Sequence, residues 1–148
     1  MNTNEINRLL RARCRGTFLG TFASNRLPAR LPSNRPLFLV VNTDPHTRPG
    51  QHWVTLYVGR DSRGEYFDSL HQDTPVSFAN YLDKWCTSWK TNSRQLQSGA
   101  SRFCGQYCVF YTLFRSLDYS LERIESCFTD GDTGVNDIFV HGLICKLR

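Results

Sequence analysis

A chain of 148 residues, 40% hydrophobic and 21% charged, is long enough for one domain with a real core and too apolar to be disordered. It has no apolar run long enough to cross a bilayer, and the opening MNTNEINRLLRARCRG lacks the apolar centre of a signal peptide, so a single intracellular domain over 1–148 is expected. The net charge of +5 is weighted early, in Arg8, Arg11, Arg13, Arg15, Arg26, Arg30 and Arg35; it leaves open a polyanion such as DNA as partner, beside a plain solvated surface.

In chain order, Leu9 and Leu10 among polar residues predict a short amphipathic helix. RLPARLPSNRP, with three prolines, predicts an extended loop. PLFLVVN, HWVTLYVG and EYFDSL read as three strands, the last two joined through GRDSRG as an antiparallel hairpin. Thr74-Pro75 predicts a helix start, with Thr74 as N-cap, and apolar residues from Val76 to Trp89 recur at helical spacing. RQLQ suggests a short strand. The run opened by Cys104, with Tyr107, Phe110, Tyr111 and Phe114, is apolar on more than one face and predicts a central buried helix. SLERIESCF and VNDIFVHGLICKL complete an α+β fold, a small and mainly antiparallel sheet packed against helices.

Six cysteines occur, at 14, 86, 104, 108, 127 and 145; without a secretory signal, free thiols are the default. Cys104 with Gly105 stands at a helix N-terminus, where free N–H groups and the helix dipole lower a thiol pKa. Cys104 is equally readable as a buried structural cysteine. His52 opens one strand of the hairpin and Asp68 closes the other. Counting from the turn places Asp68 opposite Val54 to Leu56, with His52 as a diagonal neighbour that comes within reach only if the turn or the strand ends adjust; the carboxylate can then orient the imidazole. His46 and His71 compete from loops, whereas His141, in the last helix, reads as a packed or surface group. Gln97, seven positions before Cys104, is a candidate oxyanion donor, with Gln95 and Gln106 nearby.

The order His52, Asp68, Gln97, Cys104 resembles the adenovirus-type cysteine proteases and the related proteases of ubiquitin-like proteins. GTFLGTF, VVNT, HW at the histidine and Q-x6-CG at the cysteine are similar to the adenovirus branch, from about Gly16 to Phe139. The resemblance implies a thiol endopeptidase with Cys104 as nucleophile, His52 as base and then acid, Asp68 as orienter, and Gln97 with the Cys104 N–H as oxyanion donors. It implies substrates that are viral or virus-like structural precursors, cut at Gly-Gly or Gly-x sites in a cleft walled by Trp53. It also implies activation by DNA and by a short basic peptide disulfide-bonded through Cys86, a residue that reads equally well as core. No cofactor or metal is needed for the chemistry. A monomer off the membrane, acting in the host nucleus or virion, is expected. The chain departs from the adenovirus branch in carrying Asp68 where that branch has glutamate.

Three other readings remain open. An isopeptidase or processing protease for ubiquitin-like modifiers would use the same chemistry. A zinc-stabilised module would use Cys104 with Cys108 and His141 with Cys145, both at i, i+4 spacing. A basic nucleic-acid-binding protein would leave the four-residue order as coincidence.

Overall fold

A computed structural model describes all residues, Met1–Arg148. Ten elements follow one another: α1 Thr3–Arg13, β1 Phe18–Ala23, β2 Leu37–Asn42, β3 Trp53–Val58, β4 Arg63–Phe67, α2 Val76–Trp85, β5 Ser88–Thr91, α3 Cys104–Ser116, α4 Leu121–Glu125 and α5 Thr133–Leu147. The α+β class is as expected. The strands lie in the order of the sequence, β1 to β5. The two central pairs, β2–β3 and β3–β4, are antiparallel, whereas the outer pairs β1–β2 and β4–β5 are parallel, so the sheet is mixed.

Both faces of the sheet are covered, which is why LFLVVN is apolar throughout rather than alternating. Phe38 and Val40 face the larger core with α1, α3 and α5. Leu39 and Val41 face the smaller core, where Phe78 and Leu82 of α2 pack. Nine successive residues of α3, Cys104 to Thr112, are buried, as a helix apolar all round requires. Tyr111 stacks on Phe67 at 4.4 Å between centroids and ties the helix to β4.

Three local expectations shift. α2 begins at Val76 with Pro75 in the cap position, and Thr74 makes no cap. It ends at Trp85, so Trp89 lies in β5; β-sheet pairing with β4 overrides the helical spacing that reached it. RQLQ is a loop: the N–H groups of Leu96 and Gln97 both donate to the Ser69 carbonyl instead of to a strand. β1, within GTFLGTF, is a strand that the sequence reading did not single out.

Candidate active site

The β3–β4 hairpin pairs Thr55 with Phe67, so Asp68 falls opposite Val54 and His52 lies two residues further on. The strand ends close that diagonal: His52 Nε2 is 2.5 Å from Asp68 Oδ1. Both residues are buried. Asp68 is held from several sides. Its carboxylate accepts from the N–H of Leu70 at 2.9 Å and of Gln72 at 3.0 Å. Asn92 Oδ1 accepts from the Asp68 N–H, and Asn92 Nδ2 donates to the Asp68 carbonyl.

Cys104 is the first residue of α3. Phe103 before it offers no side-chain cap, so no capping side chain occupies the first-turn N–H groups, and the Gly105 N–H bonds the thiol. His52 and Cys104 line one cavity of about 660 Å³ together with Trp53, Gln97 and Arg102. Burial alone would raise the Cys104 thiol; hydrogen bonding to His52, the Trp53 and Gly105 backbone and the imidazolium charge outweigh it and hold the thiol below its ordinary range. His52 answers in the opposite sense. Burial pushes its pKa down, but the hydrogen bonds and charges of Asp68 and Cys104 prevail and push it up to about 9. The two shifts are opposed, and both favour the thiolate–imidazolium pair over the neutral pair.

Gln97 is buried with its amide fixed in orientation. The Ser69 hydroxyl donates to its Oε1 at 2.7 Å, and its Nε2 donates to the Ser101 carbonyl at 3.1 Å. One amide hydrogen is thereby engaged and the second is left for the cavity. The loop carrying Gln97 is clamped from α5 and α3: Asn136 Nδ2 and the Tyr107 hydroxyl both donate to the Leu96 carbonyl at 3.1 Å, and the Tyr107 hydroxyl also lies 2.9 Å from Asp137 Oδ1.

Trp53 does wall the cavity, and its Nε1 donates to the Met1 carbonyl at 3.2 Å. A side chain at Gly105 would meet Met1 Cβ at 2.9 Å and Trp53 Cδ1 at 3.4 Å, so glycine is what lets this wall approach α3. Met1, Ser69, Asn92, Asn136 and Asp137 were not foreseen. Their roles come from long-range hydrogen bonds that leave no spacing signal in the chain.

The remaining candidates fall elsewhere. His46 is exposed and pairs with Asn25 and Arg26. His71 lies in a loop at φ 52°. His141 stacks on Phe103 at 4.8 Å and lies 3.5 Å from Cys145 on the outer side of α5. Neither zinc pair finds a third ligand, and no group of three ligating side chains occurs in the chain. Cys108 is buried one turn below Cys104, and burial raises its thiol well above the ordinary range. Cys86 ends α2 as a half-buried free thiol, pushed up to about 11 by burial.

No protein-family model matches the chain. In sequence it is similar to the protease of bovine adenovirus 7, 26% identical over 86% of this chain and 70% of that protein. It is similar also to the protease of bovine adenovirus 4, 29% identical over 64% of this chain and 54% of that protein. In structure it is similar to the ASFV protease, with a TM-score of 0.52 and 25% identity over 72% of this chain and 43% of that one. The Ulp1 protease domain, solved in complex with SMT3, the yeast ortholog of SUMO, matches all of this chain and 78% of its own length, with a TM-score of 0.58 and 17% identity. The chain thus spans little more than half of one adenovirus relative and under half of the ASFV protease. The resemblance to adenovirus-type proteases holds in sequence, and the fold is that of the Ulp1-like cysteine proteases.

Proposed function

We propose that this relative of the adenovirus proteases is a cysteine endopeptidase that cuts viral or virus-like structural precursors at Gly-Gly or Gly-x sites. The observation that carries the reading is one imidazole bonded to the Asp68 carboxylate and lining the same cavity as the Cys104 thiol at the mouth of α3. The Cys104 thiolate attacks the scissile carbonyl, forming a C–S bond and an oxyanion that the Cys104 N–H and Gln97 Nε2 receive. The His52 imidazolium gives its proton to the leaving amine as the C–N bond breaks. Neutral His52 then takes a proton from water, which opens the thioester and restores the pair. Asp68 keeps the ring in the orientation both steps need. No metal or cofactor enters this chemistry.

In this proposal a glycine-containing substrate lies beside the wall made by Trp53 and Met1, since glycine brings no side chain to meet it. DNA and a basic peptide as activators belong to the same proposal, as does action in the infected-cell nucleus or the virion. Cys86 is the attachment point that proposal needs. Its raised thiol, packed against Gly64, would have to be exposed before it could exchange disulfides.

A second reading is favoured by the match of the whole chain to a SUMO protease: processing of ubiquitin-like modifiers. Both are tested with one panel, linear Gly-Gly peptides beside a SUMO fusion and a ubiquitin fusion, assayed with wild type and Cys104→Ala. Cleavage of peptides by wild type alone supports the endopeptidase. Cleavage of a fusion but no peptide supports the second reading, and equal turnover by Cys104→Ala rejects both.

A further inference from the structure

The walls of the cavity beside Cys104 leave one charge without a partner. None of the 14 residues lining it is Asp or Glu, and Arg102 is its one arginine. Arg94 and Arg115 each face a carboxylate, but the exposed guanidinium of Arg102 takes part in no ion pair of the chain. The buried acids around the site are not free to supply one. Asp68 engages its carboxylate with His52 and with the N–H groups of Leu70 and Gln72. Asp137 accepts from the Tyr107 hydroxyl and the Ser98 N–H.

The backbone at Arg102 is anchored on both sides while its side chain is free. Before it, the Ser101 N–H donates to the Ser98 carbonyl at 3.1 Å, and the Ser101 carbonyl accepts from Gln97 Nε2 at 3.1 Å. After it, Phe103 stacks on His141 at 4.8 Å and leads into α3. Arg102 is therefore carried by the same stretch that presents Gln97 and Cys104. Two residues of chain span roughly 7 Å at most and an extended peptide advances about 3.3 Å per residue, so Arg102 reaches about three residues to either side of a bond held at Cys104. A guanidinium offers a planar fork that matches a carboxylate through two parallel hydrogen bonds.

We infer that Arg102 is a specificity-determining residue, which selects substrates carrying an acidic side chain within about three residues of the scissile bond. The inference rests on the endopeptidase reading and deepens it: glycine stands at the bond, and Arg102 reads the charge beside it. A basic side chain in the same place is disfavoured twice, by the Arg102 charge and by the lack of any carboxylate in the cavity wall to receive it.

The test is binding, measured by fluorescence anisotropy with the full chain carrying Cys104→Ala, so that nothing is cut. The probes are labelled Gly-Gly peptides blocked at both ends, in which a single Glu, Gln or Lys is moved from three residues before the glycine pair to three after it. At one position Glu should bind about tenfold tighter than Lys, with Gln between them, since an exposed ion pair is worth up to about fivefold and Lys turns the attraction into repulsion. Added salt should narrow the gap. Adding Arg102→Glu should invert the order, and adding Arg102→Lys should keep Glu preferred; the side chain is exposed, so neither change disturbs the core. Peptides that fail to bind, that bind equally with Glu and Lys at every position, or that keep the Glu preference after Arg102→Glu overturn the inference. Turnover of the same peptides by wild type is read separately. Selective binding without cleavage upholds Arg102 as the residue that reads the acid and rejects the endopeptidase, whereas cleavage indifferent to charge rejects this inference alone.

Discussion

Asn92 grips Asp68 by both ends of its peptide unit, accepting from the N–H at 2.9 Å and donating to the carbonyl at 2.8 Å. The same Nδ2 also reaches the Arg94 carbonyl at 2.9 Å, so one buried amide joins the end of β4 to the loop that carries Gln97. Asn92→Ala would leave the buried Asp68 N–H unpaired, a cost of about 1–3 kcal/mol, while the Asp68 carbonyl would keep the His71 N–H as donor. The expected outcome is a destabilised protein by chemical denaturation, with kcat reduced and KM little changed in the fraction that folds. An unchanged denaturation midpoint would mean that water replaces the amide at no cost.

The opposed shifts of Cys104 and His52 predict a bell-shaped pH profile for the proposed hydrolysis. Activity should fall as pH rises through about 9, where His52 loses its proton, and fall again at low pH as the Cys104 thiolate is protonated. The linkage to stability has a definite sign. His52 is raised above its unfolded value, so its contribution is complete below about 6.5 and is lost as pH rises through about 9. Cys104 is lowered, so its contribution is present at high pH and lost as pH falls through its folded value. Asp68→Asn removes a large support of the imidazolium and should move the alkaline limb down, with kcat reduced by about 10²- to 10⁴-fold. A profile whose alkaline limb stays in place would detach Asp68 from the pair.

As the proposed oxyanion donor, Gln97 would donate to charge that exists only in the transition state. Gln97→Ala should lower kcat by about 10²- to 10³-fold and leave KM nearly unchanged. Ser69→Ala, which frees the amide to turn, should show a smaller loss of the same kind. A loss confined to KM would make Gln97 a substrate-binding residue instead.

Thiol labelling separates the six cysteines without any substrate. Cys104 should alkylate fastest below pH 8, followed by the exposed Cys127 and Cys145, with Cys14, Cys86 and Cys108 slow in the native state. His52→Ala should bring Cys104 down to the rate of an ordinary thiol. Labelling repeated with DNA or with candidate peptides reads the proposed activation directly: a faster Cys86 would mark its exposure, and a faster Cys104 would mark improved poise. Cys104 that reacts no faster than Cys127 in every condition contradicts the proposed nucleophile.

Much of this site could be read from local patterns. The hairpin through GRDSRG sets the register of β3 and β4, and that register alone brings Asp68 to the diagonal of His52. The aromatic run after Cys104 is apolar on every side, and that alone makes α3 central. The errors are equally local. Trp89 continued the helical spacing of α2, but β4 offered a parallel edge, and backbone pairing took it. RQLQ had the look of a strand, but two N–H groups on one Ser69 carbonyl made it a loop.

The sequence by itself determined the fold class, the order of the four candidate residues and the poised position of Cys104, because periodicity, turn chemistry and helix termini act between near neighbours. Only the tertiary structure decided how the site is held. The closure of His52 on Asp68 at 2.5 Å, the grip of Asn92, the fixed amide of Gln97 and the wall of Met1 and Trp53 all join residues far apart in the chain. Each is a hydrogen bond between buried or half-buried groups whose partners are chosen by packing, and packing is a property of the whole core rather than of any stretch of sequence.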